Sequence, residues 1–214
     1  MTITNGYATL AAVKWRLDPG FTTVEDERRD LVLEQQVQAI SRVIDSITGH
    51  RFYATTETRY YTPENERLCY VDDLLSLTSG GLYTDPDGDL DYDDTWATTD
   101  YLLMPHNATT NGWPYSWIET HPTGIRLFPA YLRANRYIGA TRAVKITGSF
   151  GFCATGSQPD EITEACLLAV EQLFKRKDAI FGVTGPMGMS FALKVALKSD
   201  PHIMVLLEPY IGMI

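Results

Sequence analysis

The sequence predicts an α+β protein, a helical core of about four helices with a small antiparallel β lobe inserted into it. Three observations carry this. One long helical stripe lies near the N-terminus, the period changes from helical to strand-like after Phe52, and a capped helical pattern returns at Gln158. The predicted division is 1–51 with 158–214 as the helical core and assembly domain, and 52–157 as the inserted β lobe. At 214 residues, 44% hydrophobic and 21% charged, the chain can fill one core and an added lobe.

The first helix is expected over Ala8–Leu17, with Leu10, Val13 and Leu17 on one face. It ends at Asp18-Pro19-Gly20, because proline cannot continue the hydrogen-bond ladder. The second is expected over Glu25–Thr48. Leu33, Val37, Ile40, Ile44 and Ile47 step by 4, 3, 4 and 3 residues and form one apolar stripe. A coiled-coil seam would share this spacing, but a short stripe followed by a β lobe fits a core face better. Glu25, Asp26 and Glu27 suit the positive end of the helix dipole, and Gly49 suits the stop.

Strands are expected over Phe52–Thr62, Leu68–Val71, Leu74–Thr78, Tyr101–Met104, Ile125–Phe128 and Ala143–Thr147. Asp85–Asp94 is turn chemistry, and Trp113, Pro114, Tyr115 and Trp117 mark an aromatic loop. In the third helix Ser157 can cap, Pro159 suits the first turn, and Ile162, Cys166, Ala169, Val170 and Leu173 form the apolar face. Lys175, Arg176 and Lys177 complement its C-terminal end better than they make a nucleic-acid patch. A Gly/Met-rich connector is expected over Gly182–Met189. The last helix starts at Asp200-Pro201 and presents Ile203, Leu206, Leu207 and Tyr210.

The net charge of −9 is unevenly spread. Residues 57–100 hold twelve acids and two bases, Arg59 and Arg67, while the remainder is nearly neutral. Such a surface repels phosphate backbones and argues against tight nucleic-acid binding. No apolar run approaches a membrane span, and no basic region followed by an apolar stretch marks a secretory leader. Cys69, Cys153 and Cys166 are widely spaced and lack a CxxC pair, so reduced thiols are expected. The sequon at Asn107-Ala108-Thr109 is taken as chance.

No catalytic group and no cofactor is expected. His50, His106, His121 and His202 share no ligand spacing. Thr147-Gly148-Ser149-Phe150-Gly151 puts serine out of place for a nucleophile elbow, so a strand leaving through a glycine turn is expected instead of a hydrolase site at Ser149. Gly182–Gly188 lacks the Lys-Ser/Thr ending of a phosphate loop. Asp85, Asp87, Asp89 and Asp91 are the candidates for a hard cation such as Ca²⁺, and a Ca²⁺-dependent binding module is an alternative function. An EF-hand would need glycine sixth and glutamate twelfth, whereas Gly88 is fourth and Trp96 twelfth. A solvated hairpin tip is therefore expected and no metal is assigned.

The order of phrases resembles the head-to-tail connector (adaptor) proteins of long-tailed bacteriophages. The resemblance runs through YATLAAVKWRL (Tyr7–Leu17), IDSITGHRF (Ile44–Phe52), VDDLLSLT (Val71–Thr78), YLLMP (Tyr101–Pro105) and VKITGSFGF (Val144–Phe152). It continues through Pro159–Lys177 with DAIFG (Asp178–Gly182), and Asp200-Pro201 through Tyr210. Departures are the long stretches His106–His121 and Pro129–Thr141, and an apolar end (Ile211, Met213, Ile214) where basic residues are expected. The resemblance implies a non-enzymatic virion protein at the head–tail junction. It implies a ring of about twelve copies that contacts portal protein and downstream neck or tail proteins and lets DNA pass unheld. A tail-completion or stopper protein of the same neck is the alternative within that class. Leu206, Leu207, Tyr210 and Ile211 are candidate portal anchors. Closing the protein's own core is their competing role.

Overall fold

The computed structural model describes residues 3–17, 27–130, 141–175 and 197–211. The elements are α1 (Leu10–Leu17), α2 (Glu27–Thr48), β1 (Thr55–Tyr61), β2 (Leu68–Thr84), β3 (Asp94–Thr95), β4 (Tyr101–Met104), β5 (Tyr115–Thr120), β6 (Val144–Phe150), α3 (Asp160–Lys175) and α4 (Pro201–Leu207). A 3₁₀ turn, Glu208–Tyr210, follows α4. The chain divides into two compact units, Met1–Phe52 with Thr155–Ile214, and Tyr53–Ala154.

In the helical unit α3 packs on α1, α2 and α4. The α2 stripe is the core: Leu33, Val37, Ile40, Ile44 and Ile47 are all buried, as are Ile162, Ala165, Cys166, Ala169 and Val170 of α3. Each of the Leu, Ile and Val side chains stabilises by roughly 1.5–3 kcal/mol on burial, which no short helix could supply from its backbone alone. Leu173, expected on the same face, is only half-buried. Local chemistry sets the ends. The Thr9 hydroxyl accepts the Ala12 N–H at 3.2 Å and caps α1, so this helix begins at Leu10 and not at Ala8. Gly49 (φ 83°) closes α2, its N–H donating to the Asp45 carbonyl at 2.8 Å. Arg16 bridges α1 to α3 through Glu164 and Glu171, both at 2.8 Å. Asp18-Pro19-Gly20, Glu25, Asp26, Arg176, Lys177 and Gly182–Met189 lie outside the described residues.

The β unit is one antiparallel sheet in the order β1-β6-β2-β5-β4, with β3 paired to the end of β2. Three sequence expectations are corrected here. Leu68–Val71 and Leu74–Thr78 are not separate strands but parts of β2, which spans 17 residues. Their patterns look separate because β2 bulges: its register shifts between Tyr70 and Leu74 on β5, and again between Leu77 and Leu82 on β6. Tyr115–Thr120, read as aromatic loop, is β5, with the alternate burial of a half-covered strand. Ile125–Phe128 is not a strand among the described elements. It is irregular, and of its four residues only Phe128 is buried: its ring stacks on Trp96 at 4.7 Å and its N–H donates to the Glu66 carbonyl at 2.8 Å. Those two rings join Cys69, Leu74, Leu82, Ile118, Val144, Ile146 and Phe150 in the core.

Candidate assembly surfaces

The acidic segment owes its shape to Asp85. This residue is 3% exposed, its Oδ1 accepts the Gly88 N–H at 2.7 Å, and its Oδ2 accepts the Leu90 N–H at 2.9 Å. The turn needs Gly88 at φ 82° and Leu90 at φ 71°, a conformation that asparagine-like or glycine residues adopt more cheaply than leucine. Asp89 accepts the Asp91 N–H at 2.8 Å, and Asp94 and Asp100 both pair with Arg126. Tyr92 ties the loop to the sheet: its hydroxyl donates to the Arg142 carbonyl at 2.7 Å and its ring meets Tyr60 at 5.3 Å. The structure brings single carboxylate oxygens of Asp85, Asp87 and Asp89 within 4.8 Å of one another and leaves Asp91 out of that group. The charge of Asp89 lifts the Asp87 carboxyl above its ordinary range. Because both oxygens of Asp85 already accept backbone N–H groups, the arrangement works as a loop closure.

Ser149 sits inside β6, opposite Thr56 on one side and Ser76 on the other. A nucleophile elbow needs a sharp strand-to-helix turn, which this position is not. The neighbouring glycine is steric: a Cβ on Gly148 would lie 2.4 Å from the Ser76 carbonyl oxygen. All three cysteines are free, and burial pushes the thiols of Cys69 and Cys166 up to about 12 and that of Cys153 up to about 11. Thiols so far from ionising are poor nucleophiles and poor metal ligands.

The C-terminal element begins as its sequence suggests. Asp200 Oδ1 accepts the N–H groups of His202 at 2.9 Å and Ile203 at 3.3 Å, Pro201 takes the first turn, and Gln172 of α3 donates to the other oxygen. The four candidate anchors then part company. Leu207 and Tyr210 lie in the unit's own core with Ile203, Leu206 is half-buried, and Ile211 is exposed. Ile203, Leu207 and Tyr210 step by 4 and 3, so the inward face was readable from spacing; Val205, 66% exposed, is the residue that reasoning missed. The helical unit also exposes Trp15 at 70%, together with Leu31 and Val32. The β unit exposes Ile125 at 98%, with Tyr70, Leu90 and Leu127. Single exposed apolar residues are ordinary, and Trp15 is the most exposed large apolar side chain described on a helix. No helix among the described residues is long and apolar enough to cross a membrane.

No family model and no curated protein matches the chain. Two solved structures contain chains of the same fold. One is described as the neck of an empty gene transfer agent particle, computed with C6 symmetry. Its chain is 14% identical, with a TM-score of 0.58, and the match covers 100% of this chain and 94% of that one. The other, described as the virion of a native gene transfer agent particle, gives 16% identity, a TM-score of 0.53, and the same coverage of 100% and 94%.

Proposed function

We propose that the chain is a structural, non-enzymatic subunit of the neck of a phage-like particle, a head–tail connector that assembles into a ring through which DNA passes. The observation that carries this is the likeness of fold over the full chain, 100% of it against 94% of a chain from a particle neck. Two observations from the residues support it. The candidate nucleophile is a strand residue, and Asp85, one of the candidate cation ligands, has both carboxylate oxygens bonded to the backbone of a turn. The exposed large apolar side chains, by contrast, stand where packing against other proteins would use them. The ring is proposed to hold about twelve copies, as the family resemblance implies, with portal protein on one side and further neck or tail proteins on the other. Its docking face toward portal is assigned to the outer side of the C-terminal element, Val205, Leu206 and Ile211, since Leu207 and Tyr210 are occupied within the fold.

Co-purification with portal protein, followed by light scattering and negative-stain imaging, tests the proposal. The expected outcome is a ring of subunits seated on the portal, lost in a Val205→Asp, Ile211→Asp double variant that keeps its melting temperature. A chain that stays monomeric and never joins a portal assembly would overturn the connector role. A ring that forms and seats equally well with both substitutions would leave the connector role and remove only the assigned docking face.

A further inference from the structure

Phe52 is the last residue of the helical unit before the chain enters the β unit, and two distant parts of the sequence converge on it. Its ring meets that of Tyr7 at 5.6 Å and that of Tyr210 at 5.4 Å, each edge-on at 88°. Its N–H donates to the Tyr7 hydroxyl at 3.0 Å. The two jaws of this clamp stand on different kinds of support. Tyr7 is held by its N–H to the Ser41 hydroxyl at 3.0 Å, by its own hydroxyl to Asp45, by the Gln158 amide on its carbonyl at 3.3 Å, and by the Arg42 guanidinium 5.6 Å from its ring. Tyr210 stands on a three-residue 3₁₀ turn after a seven-residue helix, too short to persist unpacked, and its hydroxyl reaches Glu161 at 3.2 Å. Exposed Ile211 is the next residue along the chain.

We infer that the C-terminal 3₁₀ turn is a strap whose docking governs the order of the chain at Phe52. With Tyr210 seated, the Phe52 ring is gripped from both sides and its N–H is protected. With the turn drawn away, the ring loses one edge-to-face partner, its environment opens to water, and the Tyr7 bond to the Phe52 N–H breaks more often. This device operates within the helical unit and does not depend on what the protein assembles with.

Amide hydrogen exchange on the full chain tests it, because the Phe52 N–H reports the clamp directly. In Tyr210→Ala, exchange at Phe52 is expected to speed up by about threefold to tenfold, the worth of one edge-to-face aromatic pair. Tyr210→Phe keeps the ring and should stay within about twofold of the wild type. Central α2 amides, Val37–Ile44, should be unchanged in both. Unaltered exchange at Phe52 in Tyr210→Ala would overturn the inference, as would acceleration spread equally over α2. Should that variant fail to fold, Tyr210→Leu keeps an apolar side chain in the core and removes only the ring; it must accelerate Phe52 selectively, and if it does not, the strap is refuted.

Discussion

At the scale of single residues, two glycines are needed for different reasons. Gly148 has no Cβ because the Ser76 carbonyl is 2.4 Å from where one would sit, in the middle of a paired strand. Gly112 has open space around it but a φ of +73°. Gly148→Ala is expected to cost about 1–3 kcal/mol through overpacking, and Gly112→Ala only about 1 kcal/mol of backbone strain. Denaturant midpoints separate the two, and equal losses would mean that β2 yields to admit the methyl. The acidic loop gives a second contrast. Asp85→Ala frees two backbone N–H groups and should destabilise by about 1–3 kcal/mol, whereas Asp87→Ala should leave stability unchanged or slightly improved, since Asp87 faces the like charge of Asp89. Millimolar Ca²⁺ should not move the melting temperature of the native chain. A shift that Asp87→Ala abolishes would restore the cation site.

At the scale of elements, α4 illustrates how one short helix can serve two masters. Its inner side, Ile203 and Leu207, is fully buried, and its outer side carries Val205. Leu207→Ala should therefore cost about 2–5 kcal/mol, while Val205→Ala should stay within about 0.5 kcal/mol, both measured by urea unfolding. Similar losses at the two positions would place α4 elsewhere. The ties around α3 are ionic and respond to pH. Lys175 and then Arg16 hold the Glu171 carboxyl below its ordinary range, and the Gln172 amide with the capped N–H groups does the same for Asp200. Both folded values are depressed, so their contribution is present above the ordinary carboxylate range near pH 4 and is lost as pH falls through the folded values. Both groups are partly exposed, and solvent screening keeps the effect small. Acid titration of Glu171→Gln should show a shallower loss of stability below about pH 4 than the native chain; an identical slope would show that the Arg16 and Lys175 pairs contribute nothing.

At the scale of the whole molecule, exposed apolar side chains and excess charge are distributed differently. Both units expose large apolar residues, Trp15, Leu31, Val32 and Val205 in the helical one and Ile125, Tyr70, Leu90 and Leu127 in the β one, while excess negative charge gathers at residues 57–100 in the β unit. Contacts made by the apolar group should survive added salt, because hydrophobic burial is not screened as surface ion pairs are. Self-association measured by light scattering is therefore expected to persist from about 0.1 M to about 0.5 M NaCl, and to weaken in Trp15→Ser. Association that salt abolishes and Trp15→Ser spares would transfer the contact to the charged face.

The sequence by itself determined the α+β class, the α2 stripe, the cap at Asp200 and the concentration of acids, because each is a local pattern: a period, a turn residue, a run of charge. Only the tertiary structure decided what those patterns touch. A β-bulge breaks the alternation that would have shown β2 as one strand, so its length follows from pairing with both β5 and β6. Leu207 and Val205 are both apolar in sequence, yet one is buried and the other faces outward, because burial depends on the side of a helix that neighbours cover. Likewise, four alternating aspartates look alike until Asp85 turns inward and spends its carboxylate on the backbone. Which polar group is already satisfied is a property of three-dimensional contacts, and no spacing along the chain records it.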